Sequence, residues 1–529
     1  MGVRFISAAE AALKIRNGDT VLNTGFTMMG VCEEIFKAIE QSYLTEGSPR
    51  DLTLVHAAGA SDKVNGLEHW ANDGLIKRVI GAHWGLAPKM REFIFQDRAE
   101  GFCLPQGKVS HLIRAMGGKQ PGVLSKVGLG TFVDPRLDGG AVNASAKASG
   151  LRFVELKEID GEEYLFYKAI PINVALIRGT TIDENGNLTC EHEGIKLEIM
   201  SAALAAKRFG GIVIAQAKYK AKAGTLHPQR VVVPGLFIDY AVIAQDPVQN
   251  HRMTNGFLFE PSYAGDIRVP VDSVAMLPLS ARKVIGRRGI MEAYPGASVN
   301  LGTGIPGDTV GPVSAEEGIA DSLTLTIESG AIGGVPAGGV DFGLTQNAEA
   351  IIEQPYQFDF YNGMGVDVTY MGAAEVDEQG NVNVSKFGGR VTGCGGFIDI
   401  TQSAKKVVFL CSFTAGKADI AVEDGELKIR SNGGKKFLKR VEHITFAGQV
   451  AAQNDWQEII YVTERAVFRL DRDGLVLTEV APGCDLERDI FAHMEFRPKV
   501  AADLKTMDRA VFAEGPMGIR TEFLARTRQ

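Results

Sequence analysis

Apolar residues recur along this chain with two distinct periods. In LTLTIESG (Leu323 to Gly330) and LTLVHAAG (Leu52 to Gly59) they alternate with small polar residues, which predicts short strands. GGIVIAQ (Gly210 to Gln216) and KKVVFLC (Lys405 to Cys411) are unbroken β-rich runs, as expected for strands covered on both faces of a parallel sheet. Helical stretches separate them. The first opens on SAAE, where Ser7 is placed to cap a helix and Glu10 to reach back to it.

The order of these elements occurs twice. A helix, the turn and strand of NGDTVLNTGF, and then LTLVHAAG stand in the N-terminal half; a helix after Ser280, PGASVNLGTGIPG and LTLTIESG stand in the C-terminal half. VALIRGTTIDENGNL then matches VTYMGAAEVDEQGNV, with Asp183 to Asn187 opposite Asp377 to Asn381, and each half continues into its apolar strand after a basic residue pair. This repeat predicts two related open α/β domains with largely parallel sheets, fused in one chain. The expected division is residues 1–261, a linker at 262–279 that lacks helical periodicity, and residues 280–529. Extra material lies in the first half between its second strand and its DENG turn.

The repeat isolates one acid. Glu328 and Ser329 align with Ala57 and Ala58, so the carboxylate belongs to one copy only and points to function rather than architecture. Gly330, Gly333, Gly334 and Gly338 follow it closely, and such a tract predicts that something bulky approaches the backbone. A second reading competes. GTGIPG (Gly302 to Gly307) follows a strand, precedes a helix and lies some twenty residues before Glu328, as in a unit that binds NAD with an acid on the ribose. Pro306 weakens this reading by removing a donor from the loop. As a chemical group, Glu328 could serve as base, ligand or nucleophile. Carboxylate attack on an acyl carbon is productive only on an activated acyl group such as a thioester, whose thiolate leaves readily.

Composition narrows the classes. The 529 residues exceed one ordinary core, and the net charge of −8 with scattered basic residues argues against nucleic acid as a partner. Six cysteines without a CxxC and nine histidines without HExxH predict reduced thiols, a cytoplasmic protein and no metal. No apolar run approaches the roughly 18 residues of a membrane span, and the N-terminus does not read as a secretory signal.

Beyond these patterns, TIESGAIGGVPAGG, QFDFYNGMGVD, DEQGNVNVSKFG and GCGGFIDI resemble the family I coenzyme A transferases, and specifically the single-chain acetate or propionate subgroup. GAHWG (81–85), LPQG (104–107), VGLGTFVDPR (127–136), EYLFYKAIPI (163–172) and YVTERAVFRL extend the likeness over roughly residues 5 to 520. The resemblance implies that Glu328 attacks an acyl-CoA to give an acyl-glutamyl anhydride. The released CoA thiolate then forms a glutamyl-CoA thioester, and an acceptor acid reverses the sequence, so that CoA is co-substrate and covalent intermediate with no permanently bound cofactor. It implies Gln106 as an oxyanion donor; the alternative is a cap on a helix beginning near Val109. It implies that Gly330, Gly333 and Gly334, with Gly393, Gly395, Gly396 and Phe397, form loops against CoA and the acyl group, the last four having a tight turn as their alternative.

His83 and Trp84 are expected to pack at the domain junction and Cys394 to pack in a core, while Lys386 could meet phosphate or solvent. Met364 stands where relatives of the subgroup usually carry glycine and is expected to line the acyl or CoA tunnel; Met28 and Met29 are a second departure. The implied partners are acyl-CoA and short-chain carboxylic acids such as acetate, propionate and butyrate, in a homo-oligomer that resemblance makes a tetramer. Three readings stand beside this one: an acyl-CoA hydrolase on the same scaffold, the NAD-dependent oxidoreductase, and a non-catalytic sensor or assembly subunit.

Overall fold

The computed structural model describes residues 2–270 and 276–526. Two large sheets dominate it. In the first, Arg4–Phe5 (β1), Thr20–Asn23 (β2), Leu52–His56 (β3), Ile76–Gly81 (β4), Glu100–Cys103 (β5), Val174–Asp183 (β6), Ile212–Ala221 (β7) and Tyr240–Ile243 (β8) lie in the order β1-β8-β7-β6-β2-β3-β4-β5. All of these neighbours pair in parallel. In the second, Ser298–Leu301 (β9), Thr324–Thr326 (β10), Ala331–Ile332 (β11), Ala350–Ile351 (β12), Val368–Met371 (β13), Lys406–Leu410 (β14), Glu458–Val462 (β15), Ala466–Asp471 (β16), Gly474–Val480 (β17) and Lys499–Thr506 (β18) lie in the order β12-β11-β10-β9-β13-β14-β15-β16-β17-β18.

The repeat is visible in this topology. The order β3-β2-β6-β7-β8 of the first sheet matches β10-β9-β13-β14-β15 of the second, parallel throughout. The turns match atom for atom. The Asp183 carboxylate accepts from the amides of Asn185 and Asn187 and from the Asn187 side chain; the Asp377 carboxylate does the same for Gln379 and Asn381. The Asn187 and Asn381 side chains then accept from the amides of Gly235 and Gly448, at 3.0 and 2.8 Å. Each aspartate satisfies turn amides that would otherwise be orphaned, which is why the motif recurs.

The halves diverge beyond the edge strand of this shared core. After β3 the first sheet continues in parallel through β4 and β5, and the insertion also carries a three-stranded sheet of Gly122–Ser125, Val154–Ile159 and Glu162–Lys168. After β10 the second half turns back at once, and β11 pairs antiparallel with it. The second sheet also grows antiparallel at its other side through β16 and β17.

Ser7 and Glu10 form the reciprocal cap expected of them, and Ser280 caps helix Ala281–Ile290. The expected linker, 262–279, includes residues 271–275, which lie outside the described residues. Its start is ordered, since helix Pro261–Ala264 buries Tyr263 in a cluster with Phe26, Met29, Leu197, Ile327 and Phe342. That cluster draws on both halves and includes Ile327, the residue before Glu328. Among the described residues, no helix is long and apolar enough to cross a membrane.

Candidate active site

The carboxyl ends of the parallel strands converge on one cavity of about 440 Å3. Phe26 and Thr27 follow β2, Gly59 follows β3, His83 and Leu86 follow β4, and Gln106 follows β5; from the other sheet Gly302 and Thr303 follow β9, Glu328 follows β10 and Gly372 follows β13. Open α/β sheets place ligands at this end of their strands, where loops are free to vary. Here two sheets contribute, so the cavity lies where the halves meet.

Glu328 stands in the turn between β10 and β11. The turn is closed by the Ile327 amide on Ala331 O and the Gly330 amide on Ile327 O, both 3.1 Å, and Ser329 turns inward to donate to Gly343 O at 2.6 Å. Beneath it lies a buried polar network: Asn300 donates to the Tyr361 hydroxyl (3.1 Å), which donates to Thr326 Oγ1 (3.0 Å), while Thr369 donates to Asn300 Oδ1. Burial pushes the Glu328 carboxyl up to about 7, with its own backbone amide opposing. The charged form is disfavoured because the protein solvates it less well than water does. Among the described residues, neither lysine nor arginine lines the cavity; His83 does, and burial drops its imidazole to about 4, so it is neutral at physiological pH.

Gln106 is the first residue of helix Gln106–Gly117, which begins there rather than near Val109, and its side chain donates to Gln354 instead of capping. Gly393, Gly395, Gly396 and Phe397 line the cavity with Glu328 and Gln106. Gly393 also pairs across the halves with His83, where an added Cβ would lie 2.4 Å from Ala82 O.

Gly330, Gly333 and Gly334 do not line the cavity, which corrects the physical reason given for them. All three have positive φ, and a Cβ would lie 2.1 Å from Ile352 O, 2.7 Å from Glu349 Cγ and 2.2 Å from Gln346 O, respectively. Their missing side chains make room for this chain's own backbone and the Glu349 side chain. Met364 is corrected too. It is 65 % exposed and borders a separate groove with Trp456 and Lys126.

His83 sits at the junction, as expected, but its imidazole faces the cavity as well. Trp84 is fully buried, its indole donating to His56 at 3.0 Å. Burial raises the Cys394 thiol well above its usual range. Lys386 pairs with Glu442 at 3.3 Å and lies outside the cavity.

The sequence profile described as "Coenzyme A transferase" matches residues 5–244. A caffeate CoA-transferase of Acetobacterium woodii is 46% identical over 525 residues, covering 98% of this chain and 99% of that protein. The chain belongs to the coenzyme A transferase family. The acetate CoA-transferase YdiF of Escherichia coli K12 is 39% identical, over 98% of this chain and 96% of its own. Crystal structures of the acyl-CoA transferase YdiF from E. coli O157:H7 are 38% identical and superpose with TM-scores of 0.91 for the apoenzyme and 0.90 for a thioester complex with CoA, covering 98% of this chain and 97% of theirs. The chain is therefore an enzyme that transfers CoA, on a coenzyme A transferase fold. These relatives favour neither the dinucleotide reading of GTGIPG nor a hydrolase.

Proposed function

We propose that the chain moves CoA from an acyl-CoA to a free carboxylic acid with Glu328 as the covalent nucleophile. The observation that carries this reading is a carboxylate at a strand end, half-enclosed in a cavity that both sheets build. The thioester complex recorded for YdiF supports it, because that relative holds CoA in covalent form.

The cycle follows from bond-making at one oxygen. Glu328 attacks the acyl carbon and expels CoA thiolate; the thiolate attacks the glutamyl carbonyl and releases the first acid, leaving glutamyl-CoA; the acceptor acid then runs both steps backwards. Each tetrahedral intermediate carries an oxyanion, and Gln106, which lines the cavity, serves as its donor. A donor of this kind lowers the barrier by roughly 3–4 kcal/mol. Burial raises the ground-state energy of the attacking carboxylate and strengthens it as a nucleophile. Gly393, Gly395, Gly396 and Phe397 form the wall against CoA or the acyl group.

The acyl group fits a wall made by Phe26, Phe342, Leu86, Met371 and Ile400, so the substrates are monocarboxylic acids, with acetate, propionate and butyrate the default. The homotetramer rests on the resemblance, the cytoplasmic location on the cysteine pattern, and the division at 261 and 280 on the repeat and the aperiodic stretch between its copies. Glu328→Ala tests the assignment: transfer is abolished while circular dichroism is unchanged. Glu328→Asp draws the carboxylate back by about one C–C bond, and a misplacement of that size reduces kcat by about 10²-fold. Undiminished transfer by the alanine variant would reject Glu328 as nucleophile.

A further inference from the structure

Gln106 is itself held from behind. Its Nε2 donates to Gln354 Oε1 at 3.2 Å, and Gln354 Nε2 donates to Glu198 Oε2 at 3.0 Å. All three side chains are buried, at 2, 0 and 1 % exposure. The chain of bonds crosses between the halves, because Gln354 opens helix Gln354–Gly363 of the second half while Glu198 precedes helix Ile199–Arg208 of the first.

Glu198 occupies a helix N-cap position, where a short acidic or hydroxyl side chain ordinarily accepts from the first-turn amides. It makes no such bond. Its carboxyl turns to Gln354 instead, at a desolvation cost that pushes it up to about 8, with Glu353 adding to the rise. The backbone reinforces the contact: the Gln354 amide donates to Leu197 O at 3.1 Å, and Leu197 is held at φ +54, a strained region for a leucine. Leu197 packs in the cluster that contains Ile327, the residue before Glu328.

A glutamine amide has two faces, one donating and one accepting. With Glu198 Oε2 accepting, Gln354 Nε2 is turned away from Gln106 and Gln354 Oε1 toward it. Gln106 must then present Nε2 to Gln354, which engages one of its two hydrogens and leaves the other free. With no acceptor at 198, Gln354 can rotate by half a turn, and Gln106 must answer with its oxygen.

We propose that Glu198 and Gln354 are positioning residues that fix the orientation of the Gln106 amide for transfer. This rests on the reading of Gln106 as oxyanion donor. The test measures kcat and KM for acetyl-CoA and acetate in Gln106→Ala, Glu198→Met, Glu198→Gln and Gln354→Asn, with the Gln106→Ala/Glu198→Met pair. A misaimed donor reduces kcat by about ten- to a hundredfold, less than or equal to removal of the donor itself.

The expected result is that loss in Glu198→Met with KM for acetyl-CoA little changed. Glu198→Gln, whose amide oxygen can still accept, restores kcat, and Glu198→Met has no further effect once Gln106 is alanine. Wild-type kcat in Glu198→Met beside an impaired Gln106→Ala overturns the positioning role alone. An unimpaired Gln106→Ala overturns the reading of Gln106 and the positioning role with it. Should Glu198→Met not fold, Gln354→Asn decides: it keeps the polarity but shortens the reach by one methylene, and an undiminished kcat refutes the proposal.

Discussion

The raised carboxyl of Glu328 makes a prediction about pH that can be worked through. Only the ionised form attacks, and in a two-stage cycle kcat/KM for the acyl-CoA reports the free enzyme and that substrate. With a value of about 7, some one carboxyl in a hundred is ionised at pH 5 and one in ten at pH 6, whereas an ordinary glutamic acid is mostly ionised at both. Thus kcat/KM for acetyl-CoA should rise close to tenfold per pH unit from 5 to 6 and flatten above 7.

Stability carries the opposite sign. Because the folded value lies above the unfolded value of 4.5, the folded protein binds more protons between them, and stability falls as pH rises through that window. The full difference at pH 8 is about 3 kcal/mol, so Glu328→Gln should melt a few degrees above wild type there, and the two should converge near pH 4.5. The assay is initial-rate transfer at saturating acceptor from pH 5 to 8.5, paired with calorimetry of both proteins. A kcat/KM that is level down to pH 5, with coincident melting at pH 8, would refute the claim that burial tunes this group.

Two further outcomes follow from the packing. Gly330→Ala sets a Cβ 2.1 Å from Ile352 O at φ +118, and should lower stability by about 1–3 kcal/mol and weaken transfer with it, read from thermal melts and initial rates. A second carboxylate on the acceptor would enter a cavity lined by neither lysine nor arginine among the described residues; succinate should therefore be at least tenfold poorer than propionate in an acceptor series, and equal rates would contradict the monocarboxylate reading.

Local pattern carried the parts of this account that depend on short-range order. The capping box at Ser7 and the paired Asp183 and Asp377 turns follow from bonds made within a few residues, and the parallel strands from the unbroken apolar runs that strands covered on both faces require. Comparing the copies isolated Glu328 because its counterpart, Ala57, carries no chemistry and is simply buried. The glycines misled, since a tract free of side chains reads alike whether a ligand or the chain's own strand fills the space. The βαβ unit behind GTGIPG is present, with β9 and β10 parallel, so its failure as a dinucleotide signal was not legible locally. Glu198 and Gln354 left no trace in the sequence, being 156 residues apart and meaning something only in contact. His83 serves two places at once, pairing with Gly393 across the junction and lining the cavity, and a short motif does not separate the two.

The central claim is a covalent bond at one side-chain oxygen, and intact-protein and peptide mass spectrometry after mixing with acetyl-CoA in the absence of an acceptor tests it most directly. The account predicts a CoA adduct confined to the peptide bearing Glu328 and lost on adding acetate. A fully active enzyme that carries no adduct, or carries it on another residue, would contradict it.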